Sequence, residues 1–435
     1  MANATEKVFP STGLVDIVRL IVRIFLAFLR NPKSPNPSLV LSNWITGLMR
    51  RRQSDNLIVN LMIKKILVVK GKELSQHILE QSPSTRSYTG GPTKIRGMSF
   101  LAPQALTICH DQQWQRLRPL NEQVLSIGDA PVLQQAILDQ VHQAFIQPVS
   151  STNDIRNCMG MVMLGVVFGA APAHLTRDIE VLFGYVQNPV KRLILGRKQR
   201  GRRERFYGTI RELWQENKGA QDSSLLARAH TLAQAANFEE EELLQQIPHW
   251  MFTFTGSGTD LLVRTLAMVG SRPEMGGKVR EEIATGGPLD QSYSIGQLKY
   301  LEACLLETCR LFPPVTRTFH VAPQGDMFSG ISIPAGVEIW HYFTASYRDT
   351  SMDPWANDFE PDKWLEPGSN RRSVYPSLFL SGARACPGEG LILFVCKAAI
   401  AILFEQHRIR LSSSALARNP LPFSFPNRTI GFQTY

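Results

Sequence analysis

Apolar and polar positions along this chain alternate between long helical stretches and short strand-like runs. Leu14 to Leu29 is apolar except for Asp16, Arg19 and Arg23. With Arg30 just beyond, these four charges fall on one narrow helical stripe, so an amphipathic helix is expected. The run Asn31 to Ser38, with Pro32, Pro35 and Pro37, reads as a semi-rigid linker. Asn56 to Val69 holds two short β-branched runs split by Lys64 and Lys65, which predicts a strand pair. From Val132 to Arg310 helical periodicities dominate. The segment Ile331 to Ile339 returns to β character around a turn containing Pro334 and Gly336. Leu391 to Phe404 is an almost unbroken apolar run, long enough for a buried helix, and the tail after Arg408 mixes short strands with turns. The expected class is mainly α with small β-sheets.

Charge decides how the first helix meets a bilayer. Twelve Leu, Ile, Val or Phe residues at about −0.5 kcal/mol each favour insertion by about 6 kcal/mol, while three charges near the centre cost about 9. Leu14 to Leu29 is also short against the roughly 20 residues that a span needs. A helix lying in the interface is therefore expected over a spanning one. No small-x-small cleavage site follows it, which argues against a signal peptide. Residues 1–38 are read as this membrane-associating helix with its linker, and residues 39–435 as the main domain. With 435 residues, 43% of them hydrophobic, the chain has enough apolar material for a large core. No repeat period is present.

The net charge of +10 concentrates at Lys191, Arg192, Arg197, Lys198, Arg200, Arg202, Arg203 and Arg205. That patch has little aromatic interleaving and no nucleic-acid module signature, so nucleic acid is not expected as a partner. A solvated face and contact with anionic lipid headgroups both stay open. The cysteines, Cys109, Cys158, Cys304, Cys309, Cys386 and Cys396, are scattered and form no compact framework, which fits a reducing compartment.

One of these cysteines has an unusual setting. Residues 379–388 read Phe-Leu-Ser-Gly-Ala-Arg-Ala-Cys-Pro-Gly, directly before the apolar helix. Pro387 suits a first helical position, where its missing N–H costs nothing. Cys386 is then expected at a helix N-terminus, where free amides and the positive dipole end favour the thiolate that binds a soft metal. Phe379, Gly382, Arg384, Cys386 and Gly388 occupy every fixed position of Phe-x-x-Gly-x-Arg-x-Cys-x-Gly, the cysteine-ligand loop of the cytochromes P-450. Chance would give such a run in about one chain in ten thousand. The chain resembles that family. The resemblance implies the cytochrome P-450 fold as a single large domain, with haem b (iron protoporphyrin IX) held through Cys386 as the metal ligand. It also implies that Phe379 and Arg384 bind the cofactor. No Cys-x-x-Cys-His occurs, so the haem would be held without thioether bonds.

Other segments follow in the family's order. Glu307-Thr-Cys-Arg310, before Leu-Phe-Pro-Pro, resembles the Glu-x-x-Arg helix, whose charges three apart share a face and can pair. Phe359-Glu-Pro361-Asp-Lys363-Trp364 stands where the family has Pro-x-Arg-Trp/Phe, whose arginine closes a network with that pair. Lysine keeps the charge and loses the planar fork. Trp114-Gln-Arg-Leu-Arg118 resembles the Trp-x-x-x-Arg helix, and the resemblance implies that Trp114 and Arg118 both contact a haem propionate. His320 best fits the place of a further propionate-binding base, with Arg317 as a competitor.

Thr255-Gly256-Ser257-Gly258-Thr259-Asp260 resembles the family's oxygen-activation stretch, Ala/Gly-Gly-x-Asp/Glu-Thr. Two glycines in an apolar helical stretch cost about 1 kcal/mol each relative to alanine, and close approach of a bound group would explain that cost. Thr259 is expected to bond the carbonyl of residue 255, four earlier, loosening the helix. Thr259 and Gly256 are the catalytic candidates. Thr255 replaces the small residue and Gly258 replaces the acid. Asp260 lies about 200° around a helix from position 258 and is expected to point away.

The function that follows is a haem-thiolate monooxygenase, an oxidoreductase that activates dioxygen to oxidise an apolar small molecule. No strand-linked Gly-x-Gly-x-x-Gly is present and the length leaves no room for a fused flavin module. NADPH electrons are therefore expected through a separate flavoprotein reductase, received by basic residues on the cysteine side. The style is that of a eukaryotic membrane-surface enzyme. It points to the cytosolic face of the endoplasmic reticulum membrane, or a peripheral membrane position, and to fungal secondary-metabolite biosynthesis. Gly258 in place of the acid keeps open a same-fold enzyme without ordinary oxygen insertion: an isomerase, dehydratase, oxidative-coupling or nitric-oxide-reductase-like enzyme. A non-catalytic haem-binding protein is the reading from another class.

Overall fold

The computed structural model describes residues 7–30, 37–61, 64–146, 148–187, 189–217, 224–236, 238–351, 353–369, 374–407 and 409–434. The chain opens with β1 (Lys7–Val8), α1 (Leu14–Arg30), α2 (Pro37–Arg52), β2 (Asn56–Asn60), β3 (Lys65–Val69), α3 (Lys72–Glu80), β4 (Thr89–Gly90) and α4 (Pro92–Leu101). A helical stretch follows: α5 (Asp111–Leu125), α6 (Pro131–Ala144), α7 (Thr152–Phe168), α8 (His174–Gln187), α9 (Pro189–Ile194), α10 (Gly196–Glu216), α11 (Leu225–Ala236), α12 (Glu240–Leu244) and α13 (Ile247–Phe252). Beyond a π-helical turn come α14 (Thr259–Gly270), α15 (Pro273–Thr285), α16 (Ser292–Gln297) and α17 (Lys299–Leu311). The remainder holds β5 (Arg317–Val321), β6 (Asp326–Phe328), β7 (Ile331–Ile333), β8 (Glu338–Tyr342), α18 (Phe343–Tyr347), α19 (Glu389–Glu405), β9 (Ile409–Ser412) and β10 (Gly431–Thr434). Two compact units result. Residues 1–95, 315–356 and 380–385 form the first, and residues 96–314, 357–379 and 386–435 the second.

The first unit is built on a five-stranded sheet in the order β2-β3-β8-β5-β4. β2 and β3 are the expected antiparallel pair, with Asn56 opposite Val69 and Asn60 opposite Lys65. β8 runs parallel to β3, and β5 antiparallel to β8. Their apolar residues divide by the period of two. Leu57, Val59, Ile66 and Val68 share a core with Trp44 and Leu48 of α2 and Ile17 and Leu20 of α1. Ile58, Leu67 and Val69 pack instead with Leu74 and Ile78 of α3. Covering both faces is what permits nearly continuous hydrophobic strands.

α1 forms as expected. Asp16 is buried on it, accepting from the Gly13 amide at 3.2 Å and from Arg52 at 3.4 Å. Leu14, Val15, Val18, Ile21, Val22, Phe25, Leu26 and Leu29 are 41–65% exposed. Among the described residues no helix is long and apolar enough to cross a membrane. Residues 31–36 of the expected linker lie outside the described residues. Pro37 and Ser38 are not linker but the opening of α2, since proline is well tolerated where a helix begins.

The second unit is helical apart from the β9–β10 ladder, in which Gly431 faces Ser412 and Thr434 faces Ile409. Its centre is α19, buried at nearly every position from Leu391 to Phe404. It touches α6, α14, α15, α16 and α17, as a helix apolar on all sides must. Lys397 interrupts the apolar run and is satisfied by Glu302 of α17 at 2.9 Å. Part of the basic patch is structural. Arg202 pairs with Asp178, and Arg203 lies 4.8 Å from the Tyr207 ring centre, while Arg197, Lys198, Arg200 and Arg205 are exposed.

Candidate functional site

Backbone geometry fixes the cysteine loop. In the first unit, Leu380 and Gly382 have φ of +63° and +56°. A Cβ at Gly382 would lie 2.6 Å from the α-carbon of Glu80, so only glycine lets this turn pass α3. In the second unit, the Cys386 amide donates to the Phe379 carbonyl at 2.7 Å. Phe379 thus acts on the cysteine through its backbone. α19 starts at Glu389 with Gly388 as its N-cap, so Pro387 stands before the helix and not at its first position. The hydrogen bond to Phe379 keeps Cys386 in the loop's turn instead.

Of the six cysteines, Cys386 is the one that is not fully buried. Its thiol is nevertheless pushed above the ordinary range. Desolvation is the main cause, the Gly388 amide opposes it, Glu389 adds to it and the Arg118 charge opposes it. The expected thiolate is therefore not produced by the helix mouth alone, because burial outweighs the local dipoles. A bound cation at sulfur would reverse the balance.

The candidates for binding a haem carboxylate fall in both units. On α5, Trp114 and Arg118 stand four apart on one face, both partly exposed, and Arg118 Nε donates to Glu122 at 2.7 Å. α5 is anchored by buried Asn121, which accepts from Trp250 Nε1 at 2.9 Å. In the first unit, His320 on β5 is buried and its Nδ1 has no hydrogen-bond partner. Arg384 donates through Nη2 to the Tyr88 carbonyl at 2.7 Å, and its Nε has no partner. Burial lowers Arg384 to about 10. Burial also pushes His320 well below its usual range, with the charges of Arg384, His341 and Lys94 adding to the effect. Arg317, the competitor, lies 5.3 Å from the Trp340 ring centre. Buried basic nitrogens without acceptors suit a carboxylate ligand, so His320 and Arg384 fit a haem propionate.

Glu307 and Arg310 pair as expected, fully buried, with Arg310 Nε and Nη2 donating at 2.8 and 2.7 Å. The further donors to Glu307 are the Glu360 amide at 3.0 Å and Trp364 Nε1 at 2.8 Å. Lys363 pairs with Glu366 at 3.7 Å. The indole of Trp364 had no place in the expected network, although its position beside Lys363 was the available signal.

The oxygen-activation stretch is a π-helical turn, Thr253–Gly258. Thr259 is fully buried, and its hydroxyl donates at 2.7 Å to the carbonyl of Phe254. That is five residues back and not four, because a π turn closes its bonds one residue further along. A Cβ on Gly258 would lie 2.4 Å from Ile392 Cδ1 and 2.7 Å from the Thr253 carbonyl oxygen. A side chain at the place of the family's acid would thus press on Ile392 and the Thr253 carbonyl. Asp260 is held by Arg156 at 3.1 Å and Arg264 at 2.9 Å. Gly256 faces the Phe252 ring, which stacks on Phe183 at 3.6 Å. Thr255 and Ser257 are partly accessible, and their hydroxyls return to the carbonyls of Met251 at 3.4 Å and Thr253 at 3.3 Å.

Residues 185–430, more than half of the chain, match the family model described as Cytochrome P450. The chain belongs to the cytochrome P450 family, and its mainly helical architecture with small sheets is that family's fold. It is 29% identical over 235 residues to cytochrome P450 monooxygenase 91 of Postia placenta, covering 48% of this chain and 43% of that protein. It is 28% identical over 242 residues to cytochrome P450 monooxygenase 212 of the same organism, covering 49% and 44%. Against cytochrome P450 734A5 of Oryza sativa subsp. japonica it is 27% identical over 180 residues, covering 39% and 33%. The chain spans less than half the length of these relatives. The family model takes in the π turn, Glu307–Arg310, His320 and the Cys386 loop; Trp114 and Arg118 lie outside it.

Proposed function

We propose that this chain is a haem-thiolate monooxygenase that oxidises an apolar small molecule. The observation that carries the reading is the Cys386 loop, with its complete motif, its Phe379 hydrogen bond and a cysteine residue that alone among the six is not fully buried. Haem b, when bound, supplies the reaction with dioxygen, using NADPH electrons delivered by a separate flavoprotein reductase. Cys386 gives up its proton to become the ligand, helped by the Gly388 amide and the Arg118 charge. The residues that would hold its carboxylates are Trp114 and Arg118 of the second unit and His320 and Arg384 of the first. Thr259 commits its hydroxyl hydrogen to Phe254 and holds the π turn open beside Gly256. The partly accessible hydroxyls of Thr255 and Ser257 are left to hold and pass protons, since position 258 carries no acid.

The test is the absorption spectrum of the reduced protein with carbon monoxide. A Soret band at the thiolate position is expected, and Cys386→Ser should abolish it. A wild-type protein that carries haem without that band overturns the reading. Gly258 in place of the acid favours a second reading, an enzyme of the same fold without oxygen insertion. Incorporation of labelled dioxygen into product separates the two. The exposed apolar face of α1 supports a place on the cytosolic face of the endoplasmic reticulum membrane. The likeness to the two Postia placenta monooxygenases supports a fungal setting for this reading, and secondary metabolism is the role we attach to it.

A further inference from the structure

We infer that Asp326 is a positioning residue for the proposed reaction: through Tyr88 it fixes Arg384 of the ligand loop. The inference rests on the haem reading above, and Asp326 itself is given no contact with the cofactor. Every residue concerned lies in the first unit. Arg384 Nη2 donates to the Tyr88 carbonyl at 2.7 Å, and the same carbonyl accepts from the Ser84 amide at 3.1 Å. Arg384 Nε has no partner, so among the described residues this carbonyl is what holds the guanidinium. The other end of Tyr88 is held as firmly. Its ring is buried, and its hydroxyl donates to Asp326 Oδ2 at 2.6 Å. That oxygen also accepts from His77 Nε2 at 2.8 Å, while Oδ1 accepts from the Met327 amide at 2.7 Å.

These contacts close a ring. His77 stands on α3 three residues before Glu80, a spacing that shares one helix face. Glu80 is where Gly382 passes α3 too closely for a Cβ, and Arg384 follows two residues later. α3 therefore grips the loop directly at Gly382 and, by way of Asp326 and Tyr88, at Arg384. Tyr88 also leads into β4, whose Gly90 pairs with His320 of β5. One tyrosine thus sets the acceptor of Arg384 and the strand register beside His320. A phenol donating to a carboxylate makes a charge-assisted bond, roughly twice as strong as a neutral one. Burial and then Asp326 push the Tyr88 phenol above its ordinary range, so its hydroxyl stays a donor. Asp326 lies 238 residues along the chain from Tyr88, and only the fold brings it there.

The experiment measures haem transfer from holoprotein to excess apomyoglobin at pH 7, together with the reduction potential of the iron. Asp326→Ala should lose haem about tenfold faster than wild type, part of the value of one charge-assisted hydrogen bond made by Arg384. Its potential should fall, because a propionate charge is left less well neutralised. Tyr88→Phe removes one hydroxyl, keeps the ring and should match Asp326→Ala within about threefold. It serves alone should Asp326→Ala not fold. Asp326→Asn keeps an acceptor oxygen for the phenol and should stay within about threefold of wild type. The double variant Tyr88→Phe/Asp326→Ala should lose haem no faster than Asp326→Ala, since both changes cut one link. Haem dimethyl ester offers Arg384 no carboxylate, so wild type and variants should release it equally fast. All forms should keep the thiolate-type carbon monoxide band. Wild-type haem loss and potential in Tyr88→Phe and Asp326→Ala overturn the inference. A difference that persists with the ester does so too, as the mark of a merely structural role. A wild-type protein without thiolate-ligated haem would instead refute the underlying reading.

Discussion

Replacing Glu307 with leucine tests the buried network most directly. Glu307 accepts from Arg310 Nε at 2.8 Å, Arg310 Nη2 at 2.7 Å, Trp364 Nε1 at 2.8 Å and the Glu360 amide at 3.0 Å. Glu307→Leu takes this acceptor from all of them and leaves a guanidinium in a fully buried site. Breaking a buried pair from one side costs about 3–5 kcal/mol, and each neutral donor stripped of its acceptor adds about 1–3. Relaxation recovers part of that, so we expect a loss of about 5 kcal/mol, comparable to the whole margin of many folded proteins. Arg310 keeps its bond to the Asp358 carbonyl at 2.8 Å and its place 5.1 Å from the Tyr375 ring centre, which is why the estimate is not higher. Urea unfolding followed by tryptophan fluorescence reads the change. The double variant Glu307→Leu/Arg310→Leu removes both charges and should recover about half of the loss, because the amide and indole still lack their acceptor. A single variant that loses less than about 1 kcal/mol, or a double variant that costs the sum of the two singles, would refute the reasoning.

Three further outcomes follow. Gly258→Asp, which restores the family's acid, should destabilise by about 1–3 kcal/mol from overpacking against Ile392 and the Thr253 carbonyl; wild-type stability would contradict the packing. Thr259→Ala removes the 2.7 Å bond to Phe254 and should divert reducing equivalents to peroxide, so an unchanged ratio of product to NADPH argues against its role. Burial raises the Asp326 carboxyl, but hydrogen bonds from Tyr88 at 2.6 Å, His77 at 2.8 Å and the Met327 amide at 2.7 Å outweigh it and hold it below its ordinary range. Its stabilisation is therefore present above the unfolded value of about 3.9 and is lost as pH falls through the lower folded value, so the deficit of Asp326→Asn should shrink below about pH 4. A deficit that stays constant with pH would show that the carboxylate contributes nothing through its charge.

Local pattern accounts for what could be read in advance. The β2–β3 pair follows from two short β-branched runs, α19 from an apolar run, and the Glu307–Arg310 pair from a spacing of three. Features that depend on distant partners were hidden. Tyr88 meets Asp326 across 238 residues, and His77 meets it across 249. The π turn at Thr253–Gly258 closes its bonds one residue further along, so the carbonyl accepting from Thr259 was misplaced by one. α2 was concealed by prolines that resemble a linker. The protonation of Cys386 depends on desolvation, which no motif encodes.

Gly258 and Cys386 are joined through one helix. α19 starts three residues after the cysteine, and its Ile392 fills the space beside Gly258. One turn further along, Cys396 Sγ donates to the Gly258 carbonyl at 3.8 Å. A side chain at 258 must therefore shift both the Thr253 carbonyl and the Ile392 side chain. With no acid at 258, we propose the hydroxyls of Thr255 and Ser257 for its task, since both residues are partly accessible on the π turn and bond only weakly to the carbonyls of Met251 at 3.4 Å and Thr253 at 3.3 Å.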